Sequence, residues 1–439
     1  MLKAVRVEDA YANLVLPHVL SRLGLSGRDA AFATELASGT LRGIGTYDAV
    51  LAVCIDRPLA KVEAKVLDLL RLGTHQILAM RVPTHAAIAT TVDLVKSKVG
   101  PGAGGFANAV LRKVAAMSLT EWTADMPLPQ RTSHPEWVVE ELRSAVGDDQ
   151  IEALLQADNE PPRVTLVARP GRASRSELGG EETRFSPYGV TLAGGSPAEV
   201  PAVAEGRAGV QDEGSQLVAL ALAEAGTDGG VGELWLDLCA GPGGKSALLA
   251  ALAAEGGAIL VANEAQPHRA GLVARNLSEG MGSNDCSFDP ANRVPGAAGV
   301  VAADGRRPPF RSGTFDRVLV DAPCSGLGAL RRRPESRWRR RASDITELVP
   351  LQQELLRSAL DLVRPGGVVV YATCSPVLAE TRDVVATVLD EDPAVTLEPV
   401  AGVAGGVPEA EGPLPGTVQL WPHRHGTDAM FIAVLRRGA

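Results

Sequence analysis

A chain of 439 residues, 45% of them apolar, exceeds what one ordinary core organises, so two or three domains are expected. The formal net charge of −9 argues against a uniformly basic nucleic-acid binder, although residues 1–145 carry slightly more Lys and Arg than Asp and Glu. The longest purely apolar run, ALLAALAA at 247–254, is far short of the ~20 residues of a membrane helix, and the charged N-terminus MLKAVRVEDAYANL has no signal-peptide core; no membrane contact and a cytoplasmic location are expected.

Residues 1–140 read as helical. RPLAKVEAKVLDLLRLGTHQILAMRVP (57–83) spaces its apolar residues by three and four and predicts a pair of amphipathic helices. HAAIATTVDLVKSKV and GFANAVLRKVAAM continue the pattern on either side of GPGAGG, and ADMPLPQRTSHPEW (124–137) then punctuates the chain. Residues 141–225 are mixed: VVEELRSAVG and IEALLQA are helical, PPRVTLVARPG predicts a strand, and VQDEGSQLVALALAE a short strand running into a helix. From 226 to 439 strands and helices alternate. ELWLDLCAGPGG, AILVANEA, GVVAADG, FDRVLVDAP and GVVVYATCS are strands. KSALLAALAAEGG and PHRAGLVARNLSEG are helices with Gly at or past their ends, VPLQQELLRSALDLVRPGG a helix stopped at Pro365, and AETRDVVATVLDED the next helix. Short Val- and Leu-rich strands between helices predict a parallel sheet covered on both faces, with ligands at the carboxyl ends of its strands.

Four motifs end there: DLCAGPGGKS, ANE, DAPCSG and ATCS. GPGGKS matches two standard signatures incompletely. A phosphate-binding loop would need Gly where Cys239 stands, and a dinucleotide fingerprint would need Gly where Ser246 stands; a plain tight turn is a third reading. S-adenosyl-L-methionine, which has no pyrophosphate, asks less of the glycines. It needs close backbone approach at Cys239, Ala240, Gly241, Pro242, Gly243 and Gly244, an acid for the ribose (Glu264) and a polar group for adenine (Asp304). The helix N-terminus, with Lys245, would receive its carboxylate. No Cys-x-x-Cys or histidine cluster calls for a metal, and five cysteines without framework spacing read as free thiols. Cys54, Cys239 and Cys286 read as small buried apolar groups. Cys324 and Cys374 differ, since each follows a strand end. RRRPESRWRRR (331–341) follows Cys324 closely. It is either a solvated basic face or a phosphate-contacting patch of Arg331, Arg332, Arg333 and Arg337, with Trp338 either stacking on a base or packing beneath a helix.

Together DLCAGPGGKS, VLVDAPCSGLG, RRRPESRW and VVVYATCS resemble the RsmB/Sun group of RNA cytosine-5 methyltransferases. Residues 57–83 and 105–114 are similar to the NusB-like RNA-binding domain fused to that group, and LWPHRHGTDAMFIAVLRR fits its last strands. The resemblance implies an all-α NusB-like domain (1–140), a small α/β connecting domain (141–225) and a Rossmann-like S-adenosylmethionine-dependent catalytic domain (226–439). It further implies a monomer acting on RNA, small-subunit ribosomal RNA above tRNA, with Cys374 as nucleophile, Cys324 assisting product release and Asp321 both on the cytosine edge and among the cofactor-binding residues. Two departures stand out: Ala429 replaces a usual Gly, and the chain begins abruptly, as if a turn of the first helix were missing. Two other readings remain. One is an assembly factor with an inactive methyltransferase fold. The other is an amino-methyltransferase, disfavoured because Cys324 stands where such enzymes carry an aromatic.

Overall fold

The computed structural model describes residues 1–228, 230, 232–278 and 293–438, so Cys286 and Gly280 lie outside the described residues. The chain forms two compact units, one of residues 1–161 with 330–340 and the other of 162–329 with 341–439. No helix among the described residues is long and apolar enough to cross a membrane.

The first unit is helical. Ala64–Leu78, Thr84–Lys98 and Pro101–Val114 bring Val66, Leu70, Val95, Ala107, Leu111 and Val114 into one core with Val50, Leu51 and Cys54 of the helix Ile44–Cys54. The helix pair expected over 57–83 is a single helix after a short turn at Leu59–Lys61, because Val62 adopts an extended backbone (φ −84°, ψ 134°) and breaks the helical register. Pro101 starts its helix from the first position, where no amide donor is needed.

The second unit holds two sheets. The smaller has strands β1 (Thr165–Ala168), β2 (Glu181–Glu182), β3 (Gly189–Thr191) and β4 (Ala208–Val210) in the antiparallel order β2-β3-β1-β4. The larger contains β5 (Leu234–Asp237), β6 (Ile259–Asn263), β7 (Ala297–Val301), β8 (Phe315–Asp321), β9 (Val363–Thr373), β10 (Val395–Glu398), β11 (Val418–Gln419) and β12 (Phe431–Arg437). Its order is β10-β12-β9-β8-β5-β6-β7, with β11 on β12. Strands β5 to β9 are parallel, but β12 runs antiparallel to β9, so the sheet is mixed where a parallel one was expected.

The alternation of β9 shows how both faces are covered. Val368, Val370 and Ala372 pack with the helices Glu213–Glu224 and Gly244–Glu255, while Val369 and Tyr371 pack with Ala342–Leu362 and Arg382–Glu391. The long helix expected to reach Pro365 ends at Leu362: Val363 already pairs with Phe315, and the turn Pro365-Gly366-Gly367 lies within β9. Gly366, at φ +75°, takes the left-handed conformation that this irregular stretch requires.

Candidate active site

The carboxyl ends of β5, β6 and β7 are tied by one side chain. Asn263, fully buried, donates from Nδ2 to the carbonyls of Leu238 and Ala303, both at 3.0 Å. The glycine-rich turn closes on this tie through Ala240 N–H to Asn263 O at 2.9 Å. Two of its glycines are sterically required. A Cβ on Gly241 would lie 2.1 Å from Glu264 Oε2, and one on Gly243 (φ +108°) 2.9 Å from the Val273 backbone. Gly244, where the helix Gly244–Glu255 begins, faces open space instead. Beneath the turn, Asp237 accepts from Ser246 Oγ at 2.6 Å; burial, offset in part by that hydrogen bond, pushes its carboxyl up to about 7.

Glu264 is more occupied than a ribose ligand read from sequence. It is almost wholly buried, Oε2 accepts from Gly241 N–H and Oε1 from Gln266 N–H, both at 2.9 Å, and Arg269 stands 3.6 Å away. Its first task is to hold the turn. Asp304 is half exposed beyond β7 and grips Arg306 with both oxygens, and that hydrogen bonding draws its carboxyl below the usual range. Lys245 reaches away from the turn to Asp321 at 2.8 Å, at the end of β8. Burial opposes its charge most, but the Asp321 carboxylate, with Cys374 and Asp237 adding to it, outweighs burial and raises the pKa of its ammonium.

Strands β8 and β9 are adjacent and parallel, so the residues just past their ends are neighbours although 50 positions apart in sequence. Cys324 Sγ and Cys374 Sγ lie 3.4 Å apart. The shared hydrogen bond with Cys374, then burial, holds the Cys324 thiol far above its usual value. Either sulfur can donate in this contact. The loop after Cys324 is pinned to both flanks: Gly328 N–H donates to Cys374 O at 2.9 Å, and Ala429 N–H to Gly328 O at 2.8 Å. Ala429 thus enters through its backbone, and its methyl is buried. Of the other cysteines, Cys54 is buried in the helical core, whereas Cys239 is only partly buried against the sheet.

The arginine run is largely a structural tie of the helical unit, which corrects the patch expected from sequence. Arg337 has no exposed surface and donates to Ser133 O at 3.1 Å, Asn159 Oδ1 at 2.7 Å and Asp158 O at 3.2 Å, so it cannot meet a phosphate. Burial lowers its pKa to about 10. Arg331 is buried too, and Arg339 spends its guanidinium on the carbonyls of Val5, Asp9 and Ala10. Arg333 remains exposed, stacked 4.8 Å from the centre of the Tyr11 ring; Arg332 is half-buried, and Trp338 is 38% exposed beside Gly45.

Glu380, Ser325, Ser375 and Gln352, all buried around the cysteine loops, were not singled out from sequence. The signal available was the serine after each cysteine, in PCSG and TCSP.

Residues 228–436 match the family described as 16S rRNA methyltransferase RsmB/F, and residues 1–116 match the NusB family. The chain is 47% identical to a protein of Mycobacterium tuberculosis named as a methyltransferase, over 99% of this chain and 94% of that one. It is 34% identical to ribosomal RNA small subunit methyltransferase B of Salmonella paratyphi B, over 92% of this chain and 90% of that one. Among solved structures, PH0851 superposes with a TM-score of 0.77 at 23% identity, covering 96% of this chain and 93% of that one; NSun6 from Pyrococcus horikoshii does so with 0.57 at 17%, covering 70% and 98%. S-adenosyl-L-methionine is the methyl donor of such enzymes, and the glycine turn with open space at Gly244 suits it. With a NusB domain ahead of a Rossmann-like methyltransferase domain, the chain belongs to the RsmB/F family of S-adenosylmethionine-dependent RNA methyltransferases.

Proposed function

We propose that the protein methylates C5 of a cytosine in small-subunit ribosomal RNA through a covalent adduct on Cys374. The observation that carries this reading is the 3.4 Å contact between two sulfurs at adjacent strand ends, beside the Lys245–Asp321 pair. Cytosine C5 is a weak nucleophile. A thiolate that adds to C6 places its electron pair in the new S–C6 bond and pushes the C5=C6 pair into the ring, making C5 nucleophilic. Bound S-adenosylmethionine supplies an electrophilic methyl group. Asp321, held by Lys245, binds the cytosine edge and favours protonation at N3 as the adduct forms. Loss of the C5 proton to water then restores C5=C6 and expels Cys374 as a thiolate, and the N3 proton is released with it to leave neutral 5-methylcytosine. Cys324, 3.4 Å away, assists that expulsion by hydrogen-bonding its S–H to the departing sulfur.

Glu264, through Gly241, shapes the cofactor turn, and Asp304 stands where adenine would meet a polar group. Cys239, Ala240, Pro242 and Gly243 supply its backbone. RNA is met on the helical unit by Arg333 and Trp338, with Arg332 beside them. The target base must leave its stack, so an unpaired cytosine reacts best.

The test is a trapping experiment. Cys324→Ala accumulates an RNA-linked protein that survives denaturing electrophoresis; Cys374→Ala and the double variant form none. Activity in Cys374→Ala, or adduct in the double variant, would overturn the assignment. Bisulfite sequencing of RNA from a deletion strain identifies the substrate: a lost 5-methylcytosine in small-subunit ribosomal RNA is expected, and one in tRNA alone refutes that part.

A further inference from the structure

That chemistry needs two sulfurs from separate strands at a fixed separation, and no covalent bond joins their loops. Ser325 follows Cys324 and Ser375 follows Cys374; both are buried, with hydroxyl oxygens 3.1 Å apart. They donate to one oxygen, Glu380 Oε2, at 2.5 and 2.6 Å. Its other oxygen, Oε1, accepts Ser325 N–H at 2.7 Å and Gln352 Nε2 at 3.0 Å, and the same Gln352 nitrogen donates to Pro323 O at 2.9 Å. Tyr371 of β9 donates to the Glu380 carbonyl at 2.7 Å, fixing the backbone that carries the carboxylate. Glu380 has no exposed surface, and no cation pairs with it among the described residues. A buried carboxylate without an ion pair is costly unless hydrogen bonds replace its water, and here four do. Every one comes from a residue that flanks a cysteine or holds a residue that does.

We propose that Glu380 is a positioning residue for the two-cysteine reaction: a buried staple that draws the Cys324 and Cys374 loops together and sets their sulfur separation without touching substrate. The proposal rests on the two-thiol reading above. A staple has a property that a charged participant lacks, because it works through acceptor geometry. In Glu380→Gln the amide oxygen takes the place of Oε1, and the amide nitrogen donates to the serine hydroxyls, which rotate to accept. The four contacts survive and the charge does not. Glu380→Ala loses all four.

Phenylarsine oxide measures the sulfur gap in the free protein. Its arsenic forms one bond to each of two adjacent sulfurs, the arsenic–oxygen bond breaks, and the two thiol protons leave with that oxygen as water, with no change of oxidation state. The full-length protein binds one equivalent at this pair, and Cys324→Ala or Cys374→Ala abolishes that binding. Glu380→Ala weakens it by at least about tenfold and lowers kcat by ~100-fold, the scale of a 1 Å misplacement, with KM for RNA and S-adenosylmethionine affinity unchanged. Glu380→Gln recovers most of both losses. If Glu380→Ala does not fold, Ser325→Ala and Ser375→Ala each remove one arm and shift both readouts the same way by less.

Wild-type arsenical affinity and kcat in Glu380→Ala, or in both serine variants, overturn the staple. So does a Glu380→Gln protein that binds arsenical normally but is as inactive as Glu380→Ala, since charge and not position would then be what matters. Cys324→Ala and Cys324→Ala/Cys374→Ala proteins are run alongside with RNA. If a Cys374-dependent adduct forms while the Glu380 and serine variants behave as wild type, only the staple fails. If no such adduct forms, the two-thiol reaction fails and takes the staple's role with it.

Discussion

Gly328→Ala tests whether backbone contacts around the cysteine loops set the activity. A Cβ at this position would lie 2.2 Å from Ala429 O, 3.0 Å from Ala429 C and 2.9 Å from Cys374 O. The first contact is about 1 Å inside an ordinary carbon–oxygen approach of ~3.3 Å, and its partner is backbone that cannot rotate away. The loop must therefore move. Movement strains or breaks Gly328 N–H to Cys374 O and Ala429 N–H to Gly328 O, each worth about 1 kcal/mol net. Overpacking adds roughly 1–3 kcal/mol, so the expected destabilisation is about 2–4 kcal/mol, read as a lower Tm. Activity falls further than stability, because a shift of about 1 Å at the thiols costs ~100-fold in kcat. S-adenosylmethionine affinity stays unchanged, since the cofactor turn at 239–245 has its own ties to Asn263 and Glu264. Calorimetry for the cofactor, a melting curve and single-turnover methyl transfer separate these effects. A Gly328→Ala protein with wild-type Tm and kcat would refute the reasoning, and loss of cofactor binding in proportion to activity would place the damage elsewhere.

Glu264→Ala removes the acceptor for Gly241 and Gln266 N–H and should raise the Kd for S-adenosylmethionine by roughly 1.5–3 kcal/mol in calorimetry; unchanged affinity would remove Glu264 from the cofactor site. Arg337→Ala removes the buried donor to Ser133 O, Asn159 Oδ1 and Asp158 O and should destabilise the protein by roughly 3–5 kcal/mol, whereas Arg333→Ala should spare stability and reduce the slope of log RNA affinity against log salt. Equal salt slopes in wild type and Arg333→Ala would exclude that side chain from RNA contact. His75, bonded to the Tyr47 hydroxyl at 2.8 Å, has its pKa lowered to about 4 by burial and by Arg42. Between its ordinary 6.5 and about 4 the unfolded chain binds a proton that the native state refuses, so stability is full above that window and falls as pH drops through it, by at most about 3 kcal/mol. Denaturant titrations at several pH values should show that slope flattened in His75→Gln, and an identical slope would refute it.

The order of strands and helices from residue 234 on, the helical character of the first part, and Cys324 and Cys374 as a pair were legible in the sequence. Each depends on information that is local: apolar periodicity, glycines at turns, and motifs a few residues long. The antiparallel β12 was not legible, because an apolar run such as FIAVL states that a strand is buried but not which way it runs. The end of the long helix was misplaced for a related reason: proline forbids a helix beyond it, yet pairing between Val363 and Phe315 ended this one earlier. The arginine run shows the same limit most clearly. Seven arginines around a tryptophan look alike on paper, but Arg337 is sealed against three backbone and side-chain acceptors while Arg333 faces water. Charge is a property of the residue, whereas access to a phosphate depends on what the rest of the chain folds over it. Glu380 is the converse case, a glutamate of no visible signature in VLAETRD that only the folded chain brings under both cysteine loops.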